Sequence, residues 1–241
     1  MRYFLGVHRF TPILAIQGEC GWLSSFYRHQ LNFIRLWNRL LTMSDDRLTK
    51  KIFLWDLEQP NDKNWSHKIK SLLESLDMAV FFRNRIVCNL NTVEEKLRQD
   101  FVNGWKERLQ NVPKLRTYQT VKNNFQTEKY VTLDIPKYYR SILAQFRCGV
   151  LPIRIETGRF KGEALCDRLC TLCSSNSIED ECHFLLHCTA YSKYREILFT
   201  SVRFDSIITN VSDLNFPMQT AKFLSSAYTY RQSIIYRKHH A

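Results

Sequence analysis

The chain has 241 residues, of which 44% are apolar, enough to bury a sizeable core and too many for an intrinsically disordered tail. Thirty-five Lys and Arg against 23 Asp and Glu leave a formal charge of +12, which favours polyanionic partners and points to nucleic acid as a class, without specifying a fold. No run of about 18 apolar residues is present to span a bilayer, and His8, Arg9 and Pro12 interrupt the opening MRYFLGVHRFTPILAIQG, which excludes it as a secretory signal.

In chain order, Ser24 or Ser25 caps a helix running to about Leu41, with Tyr27, Leu31, Ile34 and Leu41 at helical spacing. Ser44 is expected to cap the next, in which Leu48, Ile52 and Trp55 share a face. A third begins near Asn64, with Ile69, Leu72, Leu73 and Leu76. Thr92-x-x-Glu95 reads as a capping box, followed by Val93, Leu97, Phe101, Trp105 and Leu109 at every fourth position until Pro113. KYYRSILAQFRCG has Pro136 before it and Gly149 at its end, the asymmetry expected of helix boundaries. AYSKYREILF and two patterns beyond Pro217 complete a mostly α chain, a helical assembly with a small embedded metal module. The expected division is 1–135, a helical region; 136–200, a basic helix with the module at its core in 170–188; and 201–241, a helical tail.

Five of the eight cysteines fall between Cys166 and Cys188, the opposite of a disulfide framework spread over a fold. An intracellular location, nuclear or cytoplasmic, fits cysteines that are free, metal-bound or catalytic. In CTLCSSNSIEDECHFLLHC, Cys170 and Cys173 have the two-residue separation with which a tight turn brings two thiolates to one zinc ion. The second pair is His183 with Cys188, or His183 with His187 on one helical face; spacing leaves both open, and helical geometry slightly favours His187. Glu179, Asp180 and Glu181 precede the helix carrying His183, where carboxylates complement the dipole, and Phe184, Leu185 and Leu186 supply apolar contacts. Cys166 and Cys182 are spare, read as small hydrophobes. Four protein ligands would close the coordination shell of a single Zn2+, which implies a structural ion and no catalytic residue.

RIETGRF followed by CTLC, ECHFLLHC and TAYSKYRE resembles the Cys-Cys-His-Cys knuckle near the C-terminus of non-LTR (LINE-type) retrotransposon reverse transcriptases. VHRFTPILAIQGECGWLSSFYRHQLNFIRLWNRLL and LTKKIFLWD look like the region that follows the polymerase portion in such reading frames. The resemblance spans about residues 5 to 200 and is most specific at the knuckle. It implies Cys170, Cys173, His183 and Cys188 as the ligands, with His187 outside the set. It also implies that the chain is the C-terminal piece of a polyprotein, whose polymerase portion is a further partner. Polymerisation requires paired carboxylates for two metal ions, and the sole Asp-Asp pair here, Asp45-Asp46, follows Ser44 and reads as helix N-terminal charge. The fragment is therefore expected not to polymerise DNA.

Zinc knuckles bind single-stranded or looped RNA while neighbouring basic residues hold phosphates. Residues 137–168 carry seven Lys or Arg against three acids. The candidate phosphate contacts on RNA or single-stranded DNA are Arg154, Arg159, Lys161 and Arg168, with Phe160, Phe184 or Tyr191 as stacking surfaces. The bland alternative makes those arginines a solvated helical face and those aromatics core. Two other functions stay open. A zinc-structured protein-interaction adaptor fits the helical content and aromatic supply. A zinc enzyme would need an open coordination position and a nearby base, and His8, His29 and His67 lie far away in sequence.

Overall fold

The computed structural model describes residues 1–59, 61–122, 124–199 and 217–240. About 68% is helical, and no strand occurs among the described residues, which is the mostly α assembly expected. The helices are α1 (Arg2–Leu5), α2 (Ile13–Cys20), α3 (Ser25–Leu41), α4 (Leu48–Glu58), α5 (Trp65–Ser75), α6 (Ala79–Arg83) and α7 (Leu90–Gln110). They continue as α8 (Arg116–Val121), α9 (Lys129–Thr132), α10 (Lys137–Arg147), α11 (Arg154–Phe160), α12 (Ser192–Phe199) and α13 (Pro217–His240). None of them is long and apolar enough to cross a membrane.

Two compact units divide the chain, Leu23–Glu107 and a second formed by Met1–Trp22 with Arg108–Ala241. Long-range bonds tie the second unit together: the Tyr118 hydroxyl donates to Ala15 O at 3.1 Å and Gln145 Nε2 donates to Gly6 O at 2.7 Å, so α1 and α2 belong with the C-terminal helices. Residues 201–216 of the expected tail lie outside the described residues. The two patterns expected beyond Pro217 form one helix, α13, which packs against α10 and α12.

In the Leu23–Glu107 unit, Ser24 Oγ accepts from Tyr27 N at 3.3 Å and so satisfies an orphan donor at the start of α3. Tyr27, Leu31, Ile34, Trp37 and Leu40 then form its buried stripe. Trp37 meets Phe53 edge-on and stacks on Phe82, with ring centroids 5.6 and 5.3 Å away. Asn64 caps α5 through His67 N at 2.9 Å, and Ile69, Leu72, Leu73 and Leu76 are buried as read. Three expectations need correction. α4 begins at Leu48 and not at a Ser44 cap, because Ser44 Oγ bonds to Asp46 in the preceding turn. Its buried residues are Lys50 and Phe53, whereas Leu48, Ile52 and Trp55 face solvent; Lys50 Nζ caps the end of α3 by donating to Leu40 O at 2.8 Å. The cap of α7 is Asn89, whose Oδ1 accepts from Asn91 N at 2.9 Å, and not Thr92.

The other unit is built around α10, whose Ile142, Leu143 and Phe146 are buried, and α13, which contributes Ala221, Phe223, Leu224 and Ala227. A buried ion cluster ties its N-terminal helices in: Arg147 grips Glu19 bidentately at 2.9 and 3.0 Å, and Tyr130 donates to the same carboxylate. Glu128 pairs with both Arg147 and Lys122. A bidentate geometry of this kind offsets the desolvation of buried charge.

Candidate metal centre

The Cys-x-x-Cys turn is an excursion held at its base by backbone pairing. Leu169 and Ile178 form an antiparallel bridge, Cys170 N donates to Ser177 O at 2.8 Å, and Glu179 N donates to Arg168 O at 3.0 Å. Asn176 takes the left-handed conformation at φ 51°, as Asn does more readily than most residues, and lets the chain reverse.

Downstream, Asp180 Oδ1 accepts from His183 N at 2.7 Å and caps a single π-type turn over His183–His187. The turn brings Cys188, and not His187, to the other three candidate side chains. Cys188 N donates to His183 O at 2.8 Å across five residues, so Cys188 comes round to His183, where α geometry would have brought His187. Cys170 Sγ lies 3.8 Å from Cys188 Sγ, and Cys173 Sγ lies 3.4 Å from His183 Nε2. All four ligand atoms fall within 4.8 Å of one another, a group that could hold a metal ion. Tetrahedral bonds of about 2.3 Å to sulfur place two sulfurs roughly 3.8 Å apart, so the geometry suits one ion. His187 is exposed, with Nε2 3.5 Å from Cys182 Sγ.

The two closest thiols are pushed in opposite directions. The Cys170 thiol is held down to about 4, first by its hydrogen bond with Cys188 and then by the Leu172 amide, His183 and the Cys173 amide, against the opposing effect of burial. Cys188 is pushed far up for the complementary reason, since it keeps the proton shared with Cys170 and is buried. A bound cation would displace that proton.

A layer of salt bridges that sequence reading did not find supports the centre. Glu179, expected as helix N-terminal charge, is fully buried; its carboxylate accepts from Arg231 Nε and Nη2, each at 2.7 Å, and from Arg154 N at 2.8 Å. Glu181 is buried too and accepts from Arg116 Nη2 at 2.7 Å and Thr117 Oγ1 at 2.9 Å; burial nevertheless pushes its carboxyl up. Arg195 is buried and holds the end of the turn by donating to Cys188 O. Phe184 and Tyr191 are core residues, 4.8 Å apart between ring centroids, so neither is a stacking surface; Phe160 is exposed. Cys166 and Cys182 are exposed and not buried hydrophobes.

The four expected phosphate contacts are differently engaged. Arg154 pairs with Glu163 at 2.6 Å, Arg159 chelates Glu156 at 2.9 and 3.0 Å, and Arg168 donates to the carbonyls of Ile155 and Glu163. Lys161 is exposed and forms no ion pair among the described residues. The open cationic face here is Lys161 with the exposed part of Arg159.

No known family model matches the chain, and comparison with curated proteins and with solved structures returns no match.

Proposed function

We propose that this chain is a zinc-structured segment that binds RNA or single-stranded DNA, of the kind that follows the polymerase portion of LINE-type retrotransposon reverse transcriptases, and that it carries no polymerase chemistry itself. The observation that carries the reading is the Cys170, Cys173, His183 and Cys188 group, whose four ligand atoms lie within 4.8 Å of one another. Three thiolates and an imidazole suit a borderline-soft ion without geometric preference, which favours zinc, and four protein ligands leave no open position for activated water. The formal charge of +12 supplies the sequence-independent attraction to phosphate. The knuckle resemblance supports the retroelement origin. Asp45 and Asp46 sit exposed in the turn before α4, with Asp46 bonded to Ser44, which favours local turn chemistry over a two-metal site.

A second reading, the protein-interaction adaptor, draws on the solvent-facing stripe of Leu48, Ile52 and Trp55, which are 73, 55 and 61% exposed. The discriminating experiment is fluorescence anisotropy of labelled single-stranded RNA and DNA with the zinc-loaded chain across a salt series. The expected slope is about 0.7 per phosphate contact for single strands, with binding lost on chelation. Binding that ignores salt, or that is no tighter than to an equally charged polylysine, contradicts nucleic-acid function and favours the adaptor.

A further inference from the structure

With the arginines beside the metal centre engaged internally, a separate group of three exposed rings and their cations lies at the junction of α1 and α10. Gly6 ends α1 with φ +62°, and a Cβ there would stand 2.0 Å from Ser141 Oγ, so the bare backbone is what lets α1 close against α10. Gln145 Nε2 fixes the junction at Gly6 O, and Arg2 Nη2 donates to Thr11 O at 3.1 Å, folding the following loop back onto α1. The consequence is three aromatic rings held outward: Tyr3 is 84% exposed, Phe4 42% and Phe10 59%.

Each ring carries a cation. Lys137 Nζ is 3.5 Å from the Tyr3 centroid, Arg140 Cζ is 4.3 Å from that of Phe4, and Arg9 Cζ is 4.7 Å from that of Phe10. Among the described residues, no carboxylate pairs with any of the three cations, in contrast to Arg154 and Arg159; Arg140 is half-buried and gives one donor, Nη2, to Ile135 O at 3.0 Å, which leaves its charge without a counter-ion. Cation–π contact orders both partners while leaving the positive charge unneutralised. Open ring area beside unneutralised cations matches the two demands of a single strand, bases that stack and phosphates that need positive charge. A duplex satisfies only the second, because its bases are already stacked.

We propose that this face binds single-stranded nucleic acid, with Tyr3, Phe4 and Phe10 stacking on bases and Lys137, Arg140 and Arg9 holding phosphates. The proposal rests on the nucleic-acid reading above and assigns its contacts to a surface other than the arginines flanking the knuckle.

The test uses the full zinc-loaded chain, with oligouridine and oligothymidine of about 15 nucleotides and a duplex of the same length. Tyr3→Ala and Phe10→Ala each weaken single-strand binding by about 5- to 150-fold, the range of one lost base stack, and leave duplex binding nearly unchanged. Tyr3→Phe restores affinity, and Lys137→Gln with Arg140→Gln lowers the salt slope by about 1.4. Both truncated rings are exposed, so circular dichroism and metal content stay at wild-type values. Wild-type single-strand affinity in Tyr3→Ala and Phe10→Ala overturns this surface while leaving the chain a nucleic-acid binder. A wild-type chain that binds no single strand better than polylysine removes both readings. Ring-dependent binding to phosphatidylserine vesicles without oligonucleotide binding reassigns the face to membranes and overturns the proposal.

Discussion

Arg231→Met tests whether α13 is an integral support of the metal module. Glu179 is 0% exposed and Arg231 4%, and the guanidinium supplies two of the three hydrogen bonds to the carboxylate, both at 2.7 Å. Methionine keeps much of the arginine stem's volume and removes both donors, leaving a buried carboxylate with the Arg154 amide alone. Breaking a buried pair by removing one partner costs about 3–5 kcal/mol. With a urea dependence of about 2–3 kcal/mol/M, the midpoint falls by roughly 1–2.5 M. Denaturation is followed in parallel by circular dichroism and by metal release to a chromophoric chelator at fixed zinc concentration, since a bound ion itself stabilises. Because Glu179 also pairs with Ile155 and Arg168 through its backbone, metal release accelerates with the loss of stability. Adding Glu179→Gln recovers most of the loss, because no bare charge remains. A single variant within about 1 kcal/mol of wild type, or a double variant as unstable as the single, refutes the reasoning.

Gly6→Ala combines a left-handed φ with the clash on Ser141, and lowers stability by about 1–3 kcal/mol in chemical denaturation. Gly162→Ala, equally left-handed at φ +72° but with no atom within 4 Å of a built Cβ, costs less; equal losses would mean that the α1–α10 approach is not tight. Burial alone would raise the Glu156 carboxyl, but hydrogen bonds from Arg159 and Lys114 outweigh it and hold the group below its ordinary value of 4.5. The stabilisation is therefore present above that pH and lost as pH falls through the lower folded value. Glu156→Gln is destabilised by about 1–3 kcal/mol at neutral pH, and the gap narrows below 4.5; a pH-independent gap contradicts the assignment. Metal affinity rises with pH, since Cys188 keeps its proton until a cation displaces it, and an affinity unchanged between about pH 6 and 8 would contradict the proton displacement.

The helical character, the caps at Ser24 and Asn64, and the stripe along α7 are legible in the sequence because they depend on contacts a few residues apart. The face of α4 is not. Periodicity selects Leu48, Ile52 and Trp55, yet burial is set by Trp37, against which Phe53 packs, and by the end of α3, where Lys50 is needed. At the candidate metal group, composition and spacing point to Cys170, Cys173 and His183, three of the four residues brought together. The choice of Cys188 over His187 depends on a π-type turn, whose five-residue bond no helical periodicity anticipates. Glu179 and Glu181 read as helix N-terminal charges because their partners, Arg231 and Arg116, lie 52 and 65 residues away. The same limit affects the arginine contacts: a basic run looks open until the carboxylates folded against it are known.

The central claim, a metal centre closed by Cys170, Cys173, His183 and Cys188, is tested most directly by metal stoichiometry on the wild-type chain, Cys188→Ser and His187→Ala, purified in parallel and assayed by elemental mass spectrometry. One zinc per chain in wild type and His187→Ala, with loss of metal from Cys188→Ser, is the predicted result. Retention by Cys188→Ser with loss from His187→Ala, or no metal in the wild type after zinc loading, would contradict it.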